Sequence, residues 1–385
     1  MTAFPVKEFA TLRTPFYYYD LALLRETLDT IQACLAEHPN YHVHYAVKAN
    51  ANPRILQTIA QAGLGADCVS GGEVLAARAA GIPASRIVYA GVGKTDEEIN
   101  AALDEGIFCF NVESLPELEV INELAARKQV VARVAFRVNP NVDAHTHEKI
   151  TTGLEENKFG IDMTDLVDAI RQAEAMPHVA FEGMHFHIGS QIRDLVVYEH
   201  LCTRINELQD MLQQHGLQPR HINVGGGLGV DYDAPDAEPI PPFSAYFSLF
   251  ARCLQLREGQ ELHFELGRSV VAQCGTLIAR TTFVKCGHAR RFVIVDAGFT
   301  DLIRPAMYGA HHFTQNLSAA SDAATETYDV VGPICESSDV FSRDEVLPLT
   351  RRGDLIAFRS AGAYGEVMAS TYNCRRLPEA HFSEN

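Results

Sequence analysis

No stretch of this 385-residue chain stays apolar for the length of a membrane helix. Basic residues are also scarce: 32 Lys and Arg stand against 49 Asp and Glu, a net charge of -17. That balance argues against electrostatic capture of nucleic acid or an anionic membrane, both of which need a basic surface. The opening residues "MTAFPVKEFATLRTPF" lack the long apolar core of a secretory leader. Cys-x-x-Cys pairs are missing, and the nine cysteines are odd in number and scattered, so neither a disulfide framework nor a zinc knuckle is indicated. The expectation is a cytoplasmic protein with reduced thiols. Internal repeats, low-complexity tracts and flexible linkers are absent too. What the chain does have is 47% hydrophobic residues, enough for a large core and too many for disorder. Its length suits two domains, or one large barrel with an addition.

Eight apolar, strand-like runs recur, at 41–50, 64–70, 86–92, 107–112, 131–139, 179–190, 221–228 and 261–266. Between them lie segments such as "NPRILQTIAQAG" and "TDLVDAIRQAEAM", whose apolar residues fall at helical spacing. Eight β-then-α units predict a (β/α)8 TIM barrel within the α/β class. An open doubly wound sheet would carry a glycine fingerprint after its first strand, and none is there. After about Gly267, strand-like runs follow one another without long helices, which reads as a mostly antiparallel C-terminal β domain, a β-barrel or sandwich. "FYYYD" at Phe16–Asp20 is expected to join it. The expected division is a barrel over 25–265 and a β domain from 1–24 plus 266–385. "DAPDAEPIPPF", with four prolines, reads as a loop on the barrel.

Chemistry gathers at the strand ends. In "YHVHYAVKAN", alternation puts His42, His44, Ala46 and Lys48 on one face, aiming Lys48 into the barrel at the end where barrels carry active sites. A desolvated lysine can form a Schiff base, whereas a lysine just past a strand end is ordinarily solvated. Three other strand ends bear on that choice. "MHFHIGSQ" places His185 and His187 together before a Gly-Ser turn. "NVGGGLGVDY" places Gly225, Gly226 and Gly227 after a strand, where bare backbone amides can approach a phosphate. "HFELGRS" places Glu265 at a strand end, ahead of Gly267 and Arg268. One cofactor explains all four, pyridoxal phosphate: Lys48 bonds its aldehyde, His187 lies against its ring, the glycines hold its phosphate, and Glu265 keeps its pyridine nitrogen protonated. Other patterns are weaker. "GVGKT" at Gly91–Thr95 resembles a P-loop, but the earlier glycine would fall at Val88. The pairs His42/His44 and His185/His187 could be metal ligands of a barrel hydrolase, although barrel-lining histidines are commonly hydrogen-bonded core residues. His311 and His312 read as a solvated loop.

These residues stand in a recognisable order. "YAVKAN", "GADCVSGGE", "RVNPNVDAHTHEKITTGLEENKFGI", "HFHIGSQ", "NVGGGLGVDY", "ELGRS", "DAGFTDLIRPAMY", "GPICESSD" and "GAYGEVMASTYN" run nearly end to end. The chain resembles the alanine-racemase-like pyridoxal-phosphate decarboxylases, and within them the diaminopimelate-processing branch more than the polyamine-forming ones. The resemblance implies that Lys48 carries the cofactor and His187 stacks on it. It implies that Ser190, Gly225, Gly226, Gly227, Gly267 and Arg268 surround the phosphate, and that Glu265 binds the ring nitrogen. Arg268, Arg304 and Tyr308 would hold the substrate, an arginine suiting forked recognition of a distal carboxylate. Glu336 would accept the distal ammonium, Tyr364 would reach cofactor and substrate, and Cys335 would donate a proton to the carbanion. The family forms head-to-tail homodimers with shared sites, Cys335 and Glu336 coming from the neighbouring subunit. No metal is implied. One departure is visible: Leu266 stands where the family's glutamate–glycine motif has proline, which would fix φ and remove an N–H.

The implied reaction is decarboxylation of meso-2,6-diaminoheptanedioate to L-lysine and CO2, the last step of lysine biosynthesis. Related substrates are carboxynorspermidine, ornithine and arginine, and Arg304 speaks against ornithine, which has no distal carboxylate. Two readings from other classes are an inactive regulatory homologue, which intact Lys48 and Cys335 oppose, and a metal-dependent barrel hydrolase. Taken without the resemblance, Cys335 reads as an ordinary buried thiol, Arg304 as a surface residue before a loop proline and Tyr308 as packing.

Overall fold

Eight parallel strands close into a barrel in the computed structural model, which describes residues 4–140, 142, 159–320 and 322–383. Within "RVNPNVDAHTHEKITTGLEENKFGI", Asn141 and the segment 143–158 lie outside the described residues. In chain order the strands are β1 (Phe16–Tyr19), β2 (Tyr41–Ala46), β3 (Gly65–Cys68), β4 (Ile87–Tyr89), β5 (Cys109–Val112), β6 (Ala132–Arg137), β7 (Val179–His185), β8 (His221–Asn223), β9 (Glu261–Leu266), β10 (Gly275–Cys286), β11 (Arg291–Val295), β12 (Thr314–Asn316), β13 (Thr325–Val331), β14 (Val340–Pro348), β15 (Leu355–Phe358) and β16 (Glu379–Phe382).

The barrel runs from β2 to β9 in sequence order, and β9 pairs back onto β2 with Tyr41 opposite Leu262 and Tyr45 opposite Leu266. Each of its eight strands falls within one of the eight runs read from the sequence. Apolar residues such as Val43, Ile87, Phe136, Ile222 and Phe264 are buried in these strands because inner and outer faces are both covered. Caps turn strands into helices within a few residues. Ser70 accepts from the Glu73 N–H ahead of helix Gly71–Ala79, and Ser114 accepts from the Glu117 N–H ahead of Leu115–Lys128. Thr95 and Glu98 form a reciprocal capping box on Asp96–Glu105. Inside the barrel, residues that lack a side chain make room for rings. A Cβ on Gly183 would lie 2.5 Å from the His221 ring.

The second unit gathers Met1–Thr27, Val230–Pro241 and Arg268–Asn385. Its sheet runs β12-β15-β10-β11-β13-β14, with β1 pairing β10 and β16. Pairing is antiparallel except for β11 with β13 and β1 with β16. The proline-rich segment therefore differs from its expected place: 230–241 belongs to this unit, not to the barrel. Its polar groups find their partners here. Tyr232 accepts at its carbonyl from the Phe313 N–H at 3.0 Å, and Asp236 Oδ1 accepts from Arg359 Nη2 at 2.8 Å. Among the described residues, no helix is long and apolar enough to cross a membrane.

Candidate active site

The C-terminal ends of the barrel strands surround a cavity of about 450 Å³, within the range of small-molecule sites. Lys48, Asp67, Arg137, His185, His187 and Glu265 line it. Lys48 is not on the strand. β2 ends at Ala46, and Lys48 sits in a single 3-10 turn, Val47–Ala49. The turn is half-buried at Lys48, whose Nζ lies 3.6 Å from Asp67 Oδ2 on the neighbouring β3. Gly267 makes this turn possible. A Cβ there would press on Ala46 and Ala49 at 3.0 and 3.1 Å. Leu266, the departure from the expected proline, is fully buried and completes β9 opposite Tyr45.

Glu265 is held in the cavity by three side-chain donors. Asn111 Nδ2 and Asn223 Nδ2 donate to its Oε1 at 3.1 and 2.8 Å, and His185 Nε2 donates to its Oε2 at 2.9 Å. The Asn223 amide cannot be flipped, because its Oδ1 accepts from the Gly225 N–H at 2.9 Å. Burial opposes ionisation of Glu265, but His185 and the Lys48 charge overcome it and hold the carboxyl well below the usual range. Asp67 goes the other way. Burial raises it first, the Glu265 charge adds to that, and Lys48 offsets only part. Two carboxylates near one cation divide the charge between them, with Glu265 the ionised member.

His187 projects from the loop after β7. Its Nδ1 accepts from the Gly226 N–H at 3.3 Å, so the proton of the neutral ring sits on Nε2. Burial, then the charges of Lys48 and Arg137, push its pKa well below the ordinary value. Ser190, half-buried, lies three residues further along this loop, which is stitched to the glycine loop by the Ile192 N–H donating to the Gly227 carbonyl at 2.8 Å. Gly226 is fixed by close approach. Its Cβ would lie 2.0 Å from the Glu265 carbonyl oxygen. Gly225 needs its identity twice over, with φ at +68° and a would-be Cβ 2.2 Å from the Phe186 carbonyl.

The second unit carries two further groups of expected site residues. In the first, Arg268 donates from Nη1 to the Tyr232 hydroxyl at 2.6 Å and lies over the Tyr364 ring at 4.9 Å. Arg304, buried, packs over the other aromatic partner, Tyr232, at 4.5 Å. It also donates from Nη1 to His312 Nε2 at 2.8 Å, while His312 Nδ1 donates to the Arg359 carbonyl at 2.9 Å. Arg304 is thus not a surface residue. His312, read as solvated, is buried, because this pairing satisfies both ring nitrogens; only His311 is partly exposed. Tyr308 ends the same short helix, Arg304–Tyr308. The second group is exposed. Cys335 is a free, exposed thiol, and Glu336 Oε1 accepts from the Tyr372 hydroxyl at 2.8 Å. Asp339 folds their turn by accepting from the Ile334 and Phe299 N–H groups, each at 2.7 Å.

Sequence reasoning missed Asp67, Asn111 and Asn223, misread His312, and used His185 only as a neighbour of His187 and a possible metal ligand beside it. The available signal was that of Lys48: a lone polar side chain inside an apolar run. The P-loop-like Lys94 is structural. It is buried and donates to the carbonyls of Gly91 and Asn111, each at 2.9 Å, and to Glu117 at 2.6 Å.

The residues fit pyridoxal phosphate on the structure's own terms. Both Asp67 oxygens, Asn111 Oδ1 and His185 Nδ1 are buried around Glu265 with no hydrogen-bond partner among the described residues, and an amine stands over a cavity of the right size. Comparison agrees. The pyridoxal-dependent decarboxylases' pyridoxal-binding domain matches residues 21–272. The chain belongs to the pyridoxal-dependent decarboxylases, and its cofactor is pyridoxal phosphate. Within that class it is similar to diaminopimelate decarboxylases. That of Bacteroides thetaiotaomicron is 59% identical over 99% of this chain and 98% of its own length. The Helicobacter pylori enzyme, solved with L-lysine, superposes with a TM-score of 0.90 at 39% identity, over 97% of this chain and 93% of that one. The M. jannaschii enzyme, also solved with L-lysine, gives 0.90 at 35%, over 98% and 89%.

Proposed function

We propose that this chain decarboxylates meso-2,6-diaminoheptanedioate to L-lysine and CO2, the last step of lysine biosynthesis. The observation that carries the reading is the cavity in which Lys48, His187 and the donor-saturated Glu265 meet. Pyridoxal phosphate, when bound, accepts the electron pair left behind as CO2 departs. The chain's residues do the rest. Lys48 supplies the amine that holds the cofactor. Glu265, kept ionised by three donors, pairs with the ring nitrogen and keeps it protonated. His187, neutral and fixed by Gly226, offers a flat face for the ring. Ser190, Gly225, Gly226, Gly227, Gly267 and Arg268 take the phosphate, and Tyr364 completes the cofactor's surroundings.

Specificity rests on the distal end of the substrate. Arg268, Arg304 and Tyr308 bind its carboxylate, and Glu336 its ammonium. A site built to pair the distal carboxylate rejects analogues that lack it, because the buried Arg268 and Arg304 then lose that partner. The Cys335 thiol is the proton donor to the carbon that lost CO2, and its exposure suits delivery by the neighbouring subunit of a head-to-tail homodimer. The proposal includes a cytoplasmic location, in keeping with nine free cysteines. Incubation with meso-diaminoheptanedioate, carboxynorspermidine, ornithine and arginine, followed by product identification, tests the reading. L-lysine from the first should dominate. Turnover of ornithine or arginine at a higher kcat/KM would overturn the substrate assignment.

A further inference from the structure

At the opposite end of the barrel, where the strands begin, His42, His44, His221, His263 and Phe108 fill the floor. Here β2 and β9, the first and last strands, close the barrel, with His42 directly opposite His263. Glu261 precedes His263 by two residues and so shares its face. Ligand atoms of His42, Glu261 and His263 lie within 4.8 Å of one another. His42 Nε2 is 3.7 Å from Glu261 Oε1, and His263 Nε2 is 3.4 Å from Glu261 Oε2. His263 is 3% exposed, whereas the His42 and Glu261 side chains are 42% and 49% exposed. A cavity of about 440 Å³ opens onto all three.

The protons of this cluster can be placed in turn. His44 Nδ1 lies 3.1 Å from the Arg86 carbonyl oxygen, which can only accept, so Nδ1 carries a hydrogen. Gly65 permits that approach, since its Cβ would stand 2.3 Å from the same oxygen. A neutral imidazole carries one ring hydrogen, so the His44 Nε2 is a bare lone pair. That lone pair faces His263 Nδ1 at 2.8 Å, which must therefore be the N–H. The same single-hydrogen count applies to the neutral His263 ring. Its Nε2 is then also a lone pair, and it points at a carboxylate. Two acceptors face each other at 3.4 Å, and a cation between them removes the conflict.

We propose that His42, Glu261 and His263 form a divalent metal site, two imidazole nitrogens and a carboxylate oxygen suited to zinc, with water in the open fourth position. His44 orients the buried ligand through its Nδ1, as outer partners of metal-bound histidines do. The site clamps the β2–β9 seam. Four residues of extended strand, about 13 Å, separate Glu261 from Glu265, so the metal has no part in the reaction. Its place at the N-terminal face points to stability.

The test is calorimetric titration of chelator-treated holoenzyme with zinc chloride, for wild type, His42→Ala and Glu261→Gln. Both substitutions fall on half-exposed side chains and leave the buried histidines in place. Wild type should take up one equivalent per chain that each variant binds about tenfold or more weakly. Zinc should raise the unfolding temperature of wild type and not of the variants. Zinc held by the exposed Cys286, Cys335 and Cys374 would appear equally in all three proteins. Equal affinity and stoichiometry throughout would overturn the site. In metal-free wild type, nitrogen NMR of the imidazoles should find His263 protonated at Nδ1 alone, and a proton on Nε2 would overturn the proposal at its root. None of these readouts depends on the reaction proposed above.

Discussion

Glu265 and Asp67 share one cation, and their environments push them apart. Among the described residues, Glu265 receives three side-chain donors, whereas Asp67 receives none. Glu265→Gln exchanges the carboxylate for an amide that cannot hold a protonated ring nitrogen. Decarboxylation should fall roughly 100-fold or more, the size of a lost preorganised electrostatic partner, with cofactor still bound by absorbance. A variant with wild-type kcat would remove Glu265 from the chemistry. Cys335→Ala should lower kcat by about 10²–10⁴-fold, as for a lost general acid, and a wild-type rate would show that the proton comes from elsewhere. Sequence singles out Lys48, His187 and Glu265 because each is costly or conspicuous in its run. Asp67, Asn111 and Asn223 escape notice because each is one short polar residue whose partners are distant in the chain. His312 is misread for the same reason: nothing in "GAHHF" announces the Arg304 guanidinium and the Arg359 carbonyl that bury it.

At the scale of elements, the barrel is legible because local signals agree. Each strand is a short apolar run, and caps such as Ser70, Thr95 and Ser114 mark where helices begin. The segment 230–241 was not legible. Prolines and acidic residues mark it as a loop, but only long-range partners such as Arg359 decide which unit it joins. The glycine loop after β8 is set by packing against the β7 and β9 ends. Gly226→Ala would drive a methyl into the Glu265 carbonyl. The expected cost is about 1–3 kcal/mol in urea unfolding, as for other overpacked sites, together with weaker retention of the cofactor. An unchanged midpoint would mean that this loop yields easily.

Across the whole molecule, the buried His44, His221, His263 and His312 and the half-buried His187 all have pKa values lowered first by burial. Unfolded, each binds a proton near pH 6.5; folded, each resists it, so the unfolded state binds more protons as pH falls and stability drops. For His44, whose folded value is about 4, the loss runs from about pH 6.5 down to about 4 and amounts to roughly 3 kcal/mol. Urea unfolding between pH 7 and 5 should show this decline, and a flat profile would mean the histidines are charged in the fold. The proposed homodimer predicts complementation: Lys48→Ala mixed with Cys335→Ala should regain part of the lost activity, and none despite subunit exchange would exclude a shared site. The central claim is that Lys48 anchors pyridoxal phosphate in the barrel cavity. Borohydride reduction of the yellow holoenzyme followed by peptide mapping tests it most directly. The expected result is bleaching with the pyridoxyl group on Lys48 and none in Lys48→Ala; label on another lysine, or a Lys48→Ala protein that still traps cofactor and turns over, would contradict it.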